Sequence, residues 1–170
     1  MILPLLFAAD TFDIAPTPRA AFRLEVEKTG LFNGKKHIFS FPKFRGHVEG
    51  DKVEFFVDAA SVECLDTWVG EKDKKKILDL TRTEMLGTAK YKEIRFVSTK
   101  VTRNGARLEV YGNLTIKAIT QPAIVWVTGD KDHGWEGGAT IRMTDWGLKP
   151  PKAALGAIGT KDEMAISFRL

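Results

Sequence analysis

From Arg107 to Lys117 the apolar residues Leu108, Val110, Leu114 and Ile116 fall at every second position, with Arg107, Glu109, Tyr111, Asn113, Thr115 and Lys117 between them. That two-residue period is the mark of a half-buried β-strand. Gly112 interrupts the apolar face. A glycine inside a strand marks a bulge, a bend at a barrel corner or a close backbone approach, so this strand is expected to curve. Pro122 then opens a second run, Ala123 to Thr128, at a strand start where a missing ladder donor is tolerated.

The same alternation recurs along the chain. It predicts strands over 10–14, 20–28, 36–41, 44–49, 52–63, 93–102, 106–117, 123–128, 134–145 and 163–170. Turn signals separate them: Thr29-Gly30, Asn33-Gly34, Glu49-Gly50-Asp51, Asn104-Gly105, and 130–134. Asn104-Gly105 between two alternating runs is the strongest short hairpin signal, so an antiparallel meander follows. One segment differs. From Glu71 to Leu86, Ile77, Leu78, Thr81, Met85 and Leu86 recur at three- and four-residue spacing, which predicts one helix stopped by Gly87, with Glu71 and Asp73 in a first turn that favours negative charge. Many strands, one helix and no repeat describe a sandwich or a closed barrel. A barrel of about eight strands leaves an interior just wide enough for side chains or one small ligand, so the interior is where function is expected.

The chain has 170 residues, 44% of them hydrophobic, enough to bury a core without a disulfide or metal to staple it. One domain over 10–170 is expected. Lys and Arg exceed Asp and Glu by 26 to 22, and the excess is scattered in short groups; solvated surface lysines account for it, and no nucleic-acid partner is expected. The single cysteine, Cys64, excludes an intramolecular disulfide and reads as a small core residue. Residues 1–9, MILPLLFAA, resemble the end of a secretory signal's apolar region with its small-residue cleavage site, although no basic region precedes them and Pro4 interrupts them. They read either as a signal remnant, for a periplasmic or secreted protein, or as a retained apolar terminus of a cytoplasmic one. No run approaches the roughly 20 apolar residues of a spanning helix, so no integral membrane segment is expected.

Six short motifs occur in order: Phe12-Asp13-Ile14; Phe41 to Gly46; Asp58-Ala59-Ala60-Ser61; Lys72-Asp73; Gly112-Asn113-Leu114-Thr115-Ile116; and Arg142-Met143-Thr144-Asp145-Trp146-Gly147. In that arrangement, from Phe12 to Leu170, the chain resembles the YceI-like family of bacterial isoprenoid-binding, lipocalin-like proteins. It departs from the family pattern where Lys72 replaces arginine, where Ala118 replaces glycine, and where one extra residue separates Arg142 from Asp145. The resemblance implies an all-β fold, an antiparallel lipocalin-like β-barrel of about eight strands with one helix. It also implies an apolar lumen holding an isoprenoid lipid, either a polyprenyl phosphate or a quinone tail, and a possible homodimer.

The apolar faces that must converge on one interior include Phe22 and Leu24, Phe39 and Phe41, Phe55 and Val57, Phe96, Leu108 and Val110, and Phe168. Alternation alone does not distinguish a hollow barrel from a packed one. A lipid headgroup is expected at the barrel mouth near basic residues, with Lys36, His37, Lys72 and Arg142 the candidates. Trp68, Trp126, Trp135 and Trp146 are assigned to the core, with Trp146 closing one end.

No catalytic residue and no metal site is expected. The histidines are His37, His47 and His133, and the chain has no Gly-x-Ser-x-Gly and no phosphate-cradling glycine loop. The expected function is to bind, carry or sequester an isoprenoid lipid without catalysis and with no cofactor beyond such a lipid or quinone. Two alternatives remain: a redox accessory dependent on quinone or haem, and a barrel with a filled core serving protein interaction.

Overall fold

The computed structural model describes residues 11–170, so the expectation for the apolar segment at 1–9 falls outside the described residues. Eleven strands form one antiparallel sheet: β1 (Thr11–Ile14), β2 (Ala21–Gly30), β3 (Lys36–Ser40), β4 (Phe44–Glu49), β5 (Lys52–Asp58), β6 (Glu63–Cys64), β7 (Glu93–Asn104), β8 (Arg107–Ile116), β9 (Ile119–Asp130), β10 (Gly134–Arg142) and β11 (Ile158–Arg169). Their order across the sheet is β1-β4-β5-β7-β8-β9-β10-β11-β2-β3-β6. The sheet curls into a lipocalin-like barrel. Its two halves meet where Phe41 to Lys43 carry the chain from β3 to β4, and there Phe22 of β2 packs against Phe55 of β5 with ring centroids 5.5 Å apart. Two of the eleven strands, the short β1 and β6, are edge additions to a wall of nine.

Strand β8 shows why the wall forms. Leu108, Val110, Gly112, Leu114 and Ile116 are buried while the residues between them are exposed or half-buried, as the period of two requires. The irregularity expected at Gly112 lies across the ladder. Gly112 pairs with Ser98 and Tyr111 with Lys100, so Thr99 of β7 is the extra residue of a bulge. The hairpin at Asn104 closes as predicted, with Asn104 opposite Arg107 and Gly105 at φ +65°.

Several boundaries differ from the sequence reading. Pro122 lies inside β9, opposite Asn113, instead of opening that strand. It is tolerated because β10 pairs with β9 only from Trp126 onward, which leaves the proline's other edge without a ladder to break. The run expected as one strand over 52–63 is broken at Asp58, whose carboxylate accepts from the Ala60 amide and starts a 3-10 turn, Ala59–Ser61. The segment at 134–145 is likewise not one strand: β10 ends at Arg142, and Met143–Trp146 form a 3-10 turn closed by Gly147 in the left-handed region at φ +69°.

The helix α1 spans Glu71–Leu80 and continues as a π turn, Thr81–Met85, in which the Leu86 amide donates to the Thr81 carbonyl at 2.9 Å. Gly87, at φ +57°, ends it as expected. No helix among the described residues is long and apolar enough to cross a membrane.

Candidate functional site

The barrel encloses a cavity of about 410 Å³ whose lining is almost wholly apolar. Its interior is therefore not filled. Strand β2 shows how the cavity is built: Phe22, Leu24, Val26 and Lys28 point inward at every second position, while Arg23 faces solvent. One end of the strand, at Ala21, lies beside Arg169, where Phe12 stacks on Trp135 and Leu170 holds the Trp135 backbone; the other end, at Gly30, lies beside Ile158.

The lining includes Phe22, Leu24, Phe39, Phe41, Phe55, Val57, Phe96, Val110 and Phe168. Leu108 is buried in the wall but does not line the cavity. The π turn and the residue after it bring Thr81, Met85 and Leu86 to one side of the cavity. Around Phe22 the rings of Phe41, Phe44 and Phe55 lie at centroid distances of 6.0, 6.5 and 5.5 Å, an aromatic cluster at the apolar end.

The opposite end is polar, and its composition differs from the four basic candidates. Only His37 of the four lines the cavity. Lys36 points outward to Glu25 at 2.9 Å, Arg142 forks onto its own neighbour Asp145 at 2.9 and 3.2 Å, and Lys72 is an exposed residue of the first turn of α1. Each lies on the solvent face of its element.

The candidates missed two lysines that line the cavity, the exposed Lys152 and Lys28, which is 7% exposed, with its ammonium donating to Thr160 Oγ1 at 3.2 Å. Burial pulls the Lys28 pKa below the ordinary lysine value, and the carboxylate of Asp66 partly opposes that shift. Asp66, 1% exposed, accepts from the Ile38 amide at 2.8 Å and lies 2.6 Å from His37 Nδ1. A signal for Lys28 was present in the chain: it continues the phase of Phe22, Leu24 and Val26, so the register that buries those three also turns this lysine inward. Asp66 gave no such signal, because it sits in an irregular loop after β6.

Among the tryptophans, Trp146 is buried and its indole N–H donates to the Leu114 carbonyl at 2.9 Å, pinning the 3-10 turn to β8. Trp135 lines the cavity, and Trp68 packs against His37 with centroids 5.4 Å apart. Neither Trp68 nor Trp126 belongs to the core. Val125 and Val127 take the inward positions, and Trp126 faces outward with the Arg107 guanidinium 4.8 Å above its ring. Cys64 is a half-buried free thiol whose pKa is raised by burial, so little of it is the reactive thiolate. His47 faces outward to Asp13 at 2.6 Å, so it does not share a face with His37.

The sequence matches the YceI-like domain over residues 20–170. It is 32% identical over 131 residues to Protein YceI of Escherichia coli O157:H7, covering 71% of this chain and 63% of that protein, and 31% identical over 129 residues to a UPF0312 protein of Pseudomonas aeruginosa with the same coverage. The chain thus spans less than two thirds of the length of these relatives. The fold is shared with BcnA of Burkholderia cenocepacia, with a TM-score of 0.69 at 19% identity over 88% of this chain and 94% of that one. It is also shared with a polyisoprenoid binding domain from Saccharophagus degradans, with a TM-score of 0.62 at 12% identity over 94% of this chain and 95% of that one.

Proposed function

The chain belongs to the YceI-like family, and from that premise we propose that it binds one isoprenoid lipid in the barrel cavity and carries or sequesters it without catalysis. The observation that carries this reading is the cavity itself, apolar along its length and ending at one buried lysine. An isoprenoid tail offers only apolar area. At about 25 cal/mol per Å² removed from water, each five-carbon unit contributes on the order of a few kcal/mol, so several units are held without any strong polar contact. The polyisoprenoid binding domain that shares this fold supports the choice of ligand class.

The polar end selects the head. Lys28 presents an ammonium with three donors and uses one of them on Thr160. A phosphate or a quinone carbonyl placed there would accept the remaining donors. A phosphate would also supply the counter-charge that Asp66, already engaged with His37 and Ile38, supplies only in part. A polyprenyl phosphate is the favoured ligand and a quinone the second. A place in the bacterial cell envelope fits such a cargo.

Native mass spectrometry of gently purified protein tests the proposal. A co-purifying isoprenoid of defined mass is expected. An apo mass that persists after incubation with polyprenyl phosphate and with a long-chain quinone would overturn it.

A further inference from the structure

We propose that the two loops at the polar end of the cavity form a docking tip for an anionic bilayer surface. The first loop joins β2 to β3 and exposes Leu31 (75%) and Phe32 (41%); the second precedes β11 and holds Leu155 fully exposed. They form one surface. The Leu31 amide donates to the Ala157 carbonyl at 3.0 Å, and Gly30, at φ +69°, lies so close to that carbonyl that a side chain there would collide with it.

The exposure of Leu155 is built in. Ala154 and Leu155 both adopt the left-handed region, at φ +50° and +56°, which costs free energy in residues other than glycine. Reciprocal backbone hydrogen bonds between Ala153 and Ile158, at 2.8 and 3.2 Å, close the loop and hold the leucine outward. Phe32 is set from beneath by Trp68, with ring centroids 5.6 Å apart.

Charge identifies the occupant. Lys35 and Lys36 lie at the first loop, Lys149, Lys152 and Lys161 at the second, and neither 29–36 nor 147–161 contains an acidic residue. Lys36 pairs with Glu25 and Lys161 with Glu27, while Lys35, Lys149 and Lys152 have no ion pair among the described residues. Apolar knobs surrounded by unpaired lysines match an anionic lipid interface, where the side chains enter the headgroup boundary and each lysine adds attraction. A second copy of the same face would set lysine against lysine, so self-association through it is disfavoured. Lys152 lines the cavity and is also exposed, so the cavity reaches the surface beside this tip. Docking would place that opening on the membrane from which a lipid is taken or to which it is given. This inference goes beyond the proposed ligand and does not depend on it.

Co-sedimentation with vesicles containing no isoprenoid tests it separately from lipid retention. The protein is expected to sediment with phosphatidylcholine vesicles containing phosphatidylglycerol, to bind phosphatidylcholine alone at least about tenfold more weakly, and to be released by salt. The triple variant Leu31→Ser, Phe32→Ser, Leu155→Ser and the charge variant Lys35→Glu, Lys149→Glu are each expected to lose about tenfold in vesicle binding. Both variants should keep the circular dichroism and the ligand retention of the parent, since none of these residues lines the cavity. Equal binding to both vesicle types, or unchanged binding by a folded triple variant, would overturn the proposal. So would a parent dimer that the triple variant converts to monomer, since the face would then pair copies of the chain.

Discussion

Gly112 of β8 and Phe96 of β7 are in contact across the ladder: the phenyl ring lies where a side chain at position 112 would stand. A Cβ added to Gly112 would collide with Phe96 Cζ and lie 2.5 Å from the Val97 carbonyl oxygen. The missing side chain thus lets the ring fold flat against the wall, and Phe96 lines the cavity. The bulge at Thr99 beside this pair bends the wall at the same level.

Gly112→Ala is therefore expected to destabilise the protein by about 2 kcal/mol, within the usual cost of overpacking. Chemical denaturation measures the loss. Adding Phe96→Leu should restore only part of it, because the Val97 carbonyl is backbone and cannot move aside. Full rescue by that second change would show that the ring alone dictates the glycine.

Lys28 should behave as a buried cation without a full counter-charge. Its pKa lies below the ordinary value near 10.5, so between the lowered folded value and 10.5 the unfolded chain binds more protons than the folded one. Stability contributed by this group therefore rises as pH rises through that window and is lowest below it, where both states are charged. Lys28→Met should be neutral or more stable by about 1 kcal/mol at neutral pH, and should remove that alkaline gain when its unfolding curve is subtracted from the parent's. The same variant should weaken polyprenyl phosphate more than quinone. Equal loss of both ligands would contradict the assignment of Lys28 to a charged head.

How much of this was legible in the chain depends on which residues obey a period. The walls were, because Leu108, Val110, Leu114 and Ile116, like Phe22 and Leu24, keep strict alternation and one face of the sheet is buried. The helix over 71–86 was legible to within its final π turn, and the hairpin at Asn104 through its glycine. The turn at 143–146 was not. Its closure depends on Gly147 in the left-handed region and on Trp146 reaching Leu114 from 32 residues away. Neither is visible to a local pattern. The headgroup candidates were basic residues expected near the barrel mouth, but charge alone does not reveal facing. Lys36 and Arg142 face solvent, and Lys28, whose phase placed it inside, was the informative lysine.

Filling the cavity offers a test that leaves the polar end intact. Ala139 lines the cavity from β10, opposite Ile166 of β11. In Ala139→Phe the new ring would enter empty volume, so the fold should survive at a cost of no more than about 1–3 kcal/mol while the bound lipid is lost or shortened. Mass spectrometry of the co-purified ligand reports this. Retention of an unchanged ligand by the folded variant would place the tail elsewhere.

Asp66 couples the polar end to the fold. Its carboxylate is the acceptor for the Ile38 amide and the partner of His37, and it favours the charged form of Lys28. Asp66→Ala leaves the amide and the imidazole without their partner in a buried site and should cost about 3 kcal/mol in thermal or chemical unfolding. Asp66→Asn keeps an acceptor for Ile38 and should cost less, yet it removes the negative charge that supports the Lys28 ammonium. The alkaline rise in stability assigned to Lys28 should then begin at a lower pH in Asp66→Asn than in the parent, since the folded pKa falls further while the unfolded value is unchanged. An unmoved onset in the folded asparagine variant would mean that Asp66 holds only the backbone and the histidine, and takes no part in setting the charge of the cavity's polar end.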